Sequence, residues 1–391
     1  MPSLQRPRVV LHVGLPKTGT TYLQALLAGH REELRAAGVL YPFLRPGAMF
    51  QAAVEVRGSH AKFGLDGAQV AGTWDALCAR ARDFPGTTVI SHEVLAGATP
   101  AQVERARAPL AGLEVHVVVT ARDLGRQATA HWQEEVKLGD AFSFRDLERD
   151  QLRADTGRDA GPDGGGVRPH FWHAQDFADA LRRWSAGLPP AQAHLVVAPP
   201  PGAPADELWH RFASAIGVPA EVVGPGPASA NASLGASEVA HLRAVNEALA
   251  GRLDRREHTR LVKRAYAEGV LAARGGRPAR APADLEEVLG AATRAWVAEV
   301  RSAGYAVHGD LAELRPVLGA PSDPHPDDAP SAPGLEPPGT VADRLVGEAA
   351  RRVPEHEESS PAGRARPAAR ARDRLRRGGL LGRRRSGEQP D

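Results

Sequence analysis

A chain of 391 residues, 42% of them apolar, has the length to bury a substantial core in one large α/β domain or two smaller ones. No stretch approaches the roughly 20 apolar residues of a membrane helix, residues 1–14 lack the layout of a signal peptide, and the single cysteine, Cys78, excludes intrachain disulfides; a cytoplasmic location is the expectation. The net charge of +2 conceals a partition, with lysine confined to Lys17, Lys62, Lys137 and Lys263 while arginines crowd the last stretch of the chain.

The first element is RVVLHVG, residues 8–14, an apolar run of the kind that forms a parallel strand buried on both faces. It leads through a Gly/Thr loop into a helix predicted over 20–36, whose apolar stripe is Tyr22, Leu23, Ala25, Leu26 and Leu27. Strand, glycine loop and helix in this order make an anion cradle, because free backbone N–H groups and the positive end of the helix dipole favour a phosphate. Gly14 and Gly19 have the G-x-x-x-x-G spacing of a triphosphate-binding loop, yet Thr20 and Thr21 stand where that loop carries Lys and Ser or Thr. The lysine, Lys17, lies inside the loop instead.

Further strands are predicted at 38–41, 87–91, 113–120 and 194–198, with helices near 68–83, 99–109, 123–138, 174–186 and 204–216. The alternation predicts an α/β fold, a parallel β-sheet flanked by helices on both faces. Cys78 reads as core. The strand TTVIS ends in His92 and Glu93, and LEVHVVVT ends in ARD, so Arg122 stands at the carboxyl edge of a strand, where open α/β sheets bind ligands. Asp123 then caps the next helix. Along that helix Trp132, Gln133 and Glu134 are candidates to line an acceptor site; His60 and the cluster Phe171, Trp172 and His173 are weaker ones, for which core packing is the better reading.

The Gly-rich stretch 156–170 reads as a surface loop and a candidate lid. Residues 233–318 turn helical and are expected to pack as an extension on the α/β domain of residues 1–232. From 319 to 391 the composition, first Pro-rich and then Arg-rich, predicts a disordered tail in which residues 341–352 have the pattern of a short helix. Its ten arginines between 364 and 385 read first as a solvated low-complexity run and second as a contact for anionic lipid or nucleic acid. No His, Cys, Asp and Glu cluster has metal-ligand spacing, so no metal is expected.

The loop PKTGTT, with Arg122 at the second strand end, resembles the sulfotransferases that use 3′-phosphoadenosine 5′-phosphosulfate (PAPS). The segments HFWHAQDFADALRRW (170–184), NASLGASEVAHLRAVN (231–246) and YAVHGDLAELRP (305–316) are similar to a bacterial group of that family, so the resemblance spans about 8–318. It implies a P-loop NTPase-like sulfotransferase fold in which Pro16, Lys17, Thr18, Gly19, Thr20 and Thr21 hold the 5′-phosphate and Arg122 the 3′-phosphate. The family's serine on the following helix falls at Thr129 and Ala130, which makes Thr129, or Arg126, its candidate replacement; Asn231 and Ser233 fall where a late loop would fold over the nucleotide. The implied reaction moves a sulfuryl group to a hydroxyl or amine of a carbohydrate, lipid or small molecule without a metal and releases adenosine 3′,5′-bisphosphate. Lys17 would meet the leaving oxygen, and Glu93, with His92 close behind, would take the acceptor proton. Two other classes compete: an ATP-dependent P-loop kinase or NTPase with a displaced lysine, weakened by the missing Lys after Gly19 and by the lack of a Walker B-like acid, and a non-catalytic nucleotide-binding protein.

Overall fold

The computed structural model describes residues 6–154, 169–224 and 233–351. Its centre is a six-stranded sheet of β1 (Arg8–Gly14), β2 (Val39–Leu40), β3 (Thr87–Ser91), β4 (Glu114–Ala121), β5 (Ala193–Val197) and β6 (Ala306–His308), in the order β2-β3-β1-β4-β5-β6. Every neighbouring pair is parallel. A parallel sheet is covered on both faces, and the side chains of β1 alternate accordingly. Val9, Leu11 and Val13 enter one core with Leu77, Cys78, Trp132 and Trp184; Val10 enters the other with Leu23, Leu27, Phe212 and Ile216. Burial pushes the Cys78 thiol up to about 12, which suits packing and not nucleophilic chemistry.

The predicted strands 8–14 and 87–91 stand with those bounds, and 113–120 and 194–198 stand one residue out of step. The helix predicted over 20–36 is broken at His30 into Thr20–Gly29 and Arg31–Ala36. β6 was read as part of the helical extension; it is a three-residue edge strand, too short to show a period. Residues up to Ala349 form one compact unit, and the helices Ala236–Leu249 and Glu286–Ala303 supply Val239, Leu242 and Trp296 to the same core as β1.

The larger correction concerns residues 319–350. The helix Pro338–Ala350 buries Val341, Ala342 and Leu345 in the main core. Ahead of it Asp327 accepts hydrogen bonds from the backbone N–H groups of Phe144 and Arg145, at 2.9 and 2.8 Å, and from Arg243 at 3.1 Å. Composition misled because proline-rich chain is compatible with extended, packed structure once its polar groups find partners. The arginine run of 364–385, the centre of the Gly-rich stretch 156–170 and Asn231 lie outside the described residues. No described helix is long and apolar enough to cross a membrane.

Candidate functional site

Consecutive crossovers leave β1 toward β2 on one side of the sheet and β3 toward β4 on the other, so the carboxyl ends of these strands open the crevice where α/β sheets take ligands. The loop Leu15–Gly19 sits there, between β1 and the helix Thr20–Gly29. Its backbone is left-handed at three places, Gly14 (φ 81°), Lys17 (φ 65°) and Gly19 (φ 92°). Such alternation turns successive N–H groups to one side as an anion-binding nest. Gly14 also has no room for a side chain, since a Cβ there would stand 2.6 Å from that of Glu93. No side chain caps the helix Thr20–Gly29, so its first N–H groups face the loop unscreened.

Beneath the loop lies a buried polar network that periodicity does not reveal. The Thr18 hydroxyl donates to the Leu15 carbonyl at 2.7 Å and lies 2.6 Å from the Thr120 hydroxyl, while His12 contacts Ser91 at 2.7 Å and Thr120 at 3.4 Å. The Leu15 N–H donates to the Thr120 carbonyl at 3.0 Å. Burial lowers His12 to about 4 and keeps it neutral. Thr18 therefore braces the loop with its side chain and has only its backbone to offer a phosphate. Thr20 is buried as well, and Thr21 is exposed.

Lys17 reaches back over the helix Leu124–Lys137, where its Nζ lies 2.5 Å from Glu134. The second oxygen of Glu134 accepts from Lys263 at 2.6 Å. Burial alone would raise Glu134, but the two ammonium groups overcome it and hold the carboxyl at about 2. Lys137 is lowered by burial and by Lys17, and Lys62 acts on Glu135 and His170 close by. All four lysines of the chain thus act on Glu134 or its neighbour Glu135.

At the end of β3, His92 caps the following turn by accepting the Val94 N–H on Nδ1 at 3.2 Å, and its ring tilts against Phe50. Burial lowers its pKa. A neutral His92 with Nδ1 occupied carries its proton on Nε2 and has no free lone pair to take another. Glu93 is different: burial would raise it, yet His92, a backbone N–H, Gln24 and His12 together hold it below the ordinary value. Gln24, on the loop helix, donates to its Oε2 at 3.2 Å. Glu93 is the ionised acceptor of the pair.

Arg122 follows β4 and bonds the Arg126 carbonyl at 3.1 Å and Gln127 Oε1 at 2.6 Å through one terminal nitrogen. Gln127 in turn donates to the Pro16 carbonyl at 2.9 Å, which ties the arginine to the loop. Burial and Arg126 lower the guanidinium to about 10, and its Nε is buried with no partner among the described residues. Arg126 itself is held by Asp123 and Pro199. The Thr129 hydroxyl donates to the Arg126 carbonyl at 3.2 Å within its own helix, so it does not stand in for the family's serine in this arrangement.

No family model, curated protein or solved structure matches the chain. The site is therefore read from its own chemistry. Of the acceptor candidates only Glu134 reaches it: Trp132 is buried with its indole N–H on Phe142, and Gln133 donates to the Leu234 carbonyl. Phe171 and Trp172 are core, His60 opens a short turn near the surface, and Ser233 is exposed. Among the described residues His131, Glu135 and His170 converge beside Glu134, a grouping that could hold a metal ion and that no single stretch of sequence shows. His131 and Glu135 carry the one signal the sequence held, an i,i+4 pair on a helix; the third residue arrives only through the fold.

Proposed function

We propose that this chain is a sulfotransferase that moves a sulfuryl group from PAPS to a hydroxyl or amine by in-line displacement. The observation that carries the reading is the left-handed Lys17 inside a loop whose helix has no side-chain cap, a form suited to an anion; in this reading the lysine meets the group attached to the phosphate instead of running along a triphosphate. Arg122 supports it with a guanidinium whose Nε has no partner among the described residues and whose fork matches a second phosphate.

In this scheme the loop amides hold the 5′-phosphate and Arg122 the 3′-phosphate. The acceptor oxygen or nitrogen forms a bond to sulfur as the bond from sulfur to the bridging oxygen breaks, and its proton passes to Glu93. The electron pair stays on the departing phosphate. Lys17 exchanges Glu134 for that oxygen, a contact that strengthens as the oxygen gains charge. Adenosine 3′,5′-bisphosphate leaves.

One observation favours a second reading. Glu93 lies against Gly14 at the loop, an acid where a kinase would hold magnesium. Calorimetry with adenosine 3′,5′-bisphosphate against ATP plus magnesium separates the two, and tighter ATP binding refutes the sulfotransferase. Transfer of labelled sulfate onto a panel of glycans, lipids and phenols then tests catalysis. Bisphosphate binding with no transfer to any acceptor would favour a non-catalytic nucleotide-binding protein.

A further inference from the structure

On the helix Leu124–Lys137, His131 and Glu135 stand one turn apart on one face, and His170, the first residue of the helix His170–Gln175, comes to meet them. One ligand atom from each of the three lies within 4.8 Å of the others. Two ligands about 2.1 Å from a shared ion stand at most about 4.2 Å apart, so the three groups must draw somewhat closer together to share one ion. His131 supplies an independent mark. Its side chain is buried, wedged against the rings of His170 and Phe171 at 5.3 and 5.7 Å, and its Nε2 is sealed from solvent with no hydrogen-bond partner among the described residues. Buried polar atoms in native proteins are nearly always satisfied, and an imidazole nitrogen is satisfied by a metal as well as by a proton donor.

We propose that His131, Glu135 and His170 bind a single divalent transition-metal ion of the zinc class and leave its remaining coordination positions to water. Two imidazoles and one carboxylate match ions of intermediate softness, whereas magnesium and calcium favour oxygen shells. In the absence of an ion, burial and the neighbouring Asp140 raise Glu135, which shares its proton with Asp140; a cation bound here would displace that proton. Lys17 and Lys62 oppose an added cation here, and Glu134, Glu135 and Asp140 offset them.

The test uses the full chain stripped by a chelator and titrated with Co²⁺ alone, then Zn²⁺. One equivalent of Co²⁺ should bind with visible d–d bands of a low-coordinate site, one equivalent of Zn²⁺ should displace it, and Mg²⁺ should leave the spectrum unchanged. His170→Ala and Glu135→Gln should each weaken binding by more than the roughly 10–100-fold typical of an outer-shell loss. These two residues are less buried than His131, so circular dichroism should show both variants folded even if His131→Gln is not. Absence of stoichiometric binding overturns the proposal, as does an unchanged Co²⁺ spectrum and affinity in both variants. Neither outcome touches the donor reading, which stands or falls on nucleotide calorimetry.

Discussion

The left-handed Lys17 permits a test that separates strain from chemistry by comparing Lys17→Gly with Lys17→Ala. At φ 65° a residue with a Cβ carries a conformational cost of about 1–2 kcal/mol that glycine escapes. Glycine returns about 0.5–1 kcal/mol of that through its greater freedom in the unfolded chain. Both variants lose the same ion pair to Glu134, whose lysine side chain is 35% exposed, so that loss is about 0–1 kcal/mol and cancels in the comparison. Lys17→Gly should therefore be more stable than Lys17→Ala by about 0.5–1 kcal/mol, a shift of roughly 1 °C in a domain of this size. Sulfate transfer should fall equally in both, by far more than bisphosphate binding falls, because the lysine acts on charge that develops in the transition state. Thermal and urea unfolding, read beside calorimetry and a labelled-sulfate assay, give the four numbers. Equal stabilities would refute the left-handed backbone, and transfer surviving in either variant would remove Lys17 from the reaction.

Arg122→Gln should cost at least tenfold in affinity for nucleotides bearing a 3′-phosphate and leave AMP binding nearly unchanged, as calorimetry with the matched pair will show. Stability should fall on acidification through His12: its folded value near 4 lies below the unfolded 6.5, so the contribution is complete above pH 6.5 and lost as pH falls toward 4. By pH 5 the loss from this residue is about 2 kcal/mol, and urea unfolding of His12→Asn should show a flatter pH dependence. Removing residues 352–391 should leave unfolding unchanged, whereas removal from 319 onward should destabilise the fold, since burial of Val341 and Leu345 alone contributes about 1.5–3 kcal/mol each.

Much of the frame was readable because parallel strands buried on both faces announce themselves as apolar runs; RVVLHVG and TTVIS needed no tertiary information. Their ends located Glu93 and Arg122, since strand order and strand length together put the carboxyl edge where the runs stop. What stayed hidden depends on partners distant in the chain. Thr18 reads as a phosphate ligand until Thr120 and Leu15 take its hydroxyl. Glu134 reads as an acceptor contact until Lys17 and Lys263 close on it from elements far apart in sequence. Residues 319–350 read as solvated because composition records how much apolar surface a segment carries and not whether a neighbour waits to cover it; Asp327 and Val341 found theirs.

A chain with four lysines has few primary amines, and these four gather about Glu134 and Glu135 beside a single loop. Apart from the amino terminus, an amine-selective reagent therefore meets no other side-chain amine in the molecule. Ordinary amine chemistry becomes site-directed here: the rate at which each lysine is modified, with and without nucleotide, maps occupancy of the crevice residue by residue, with no engineered probe.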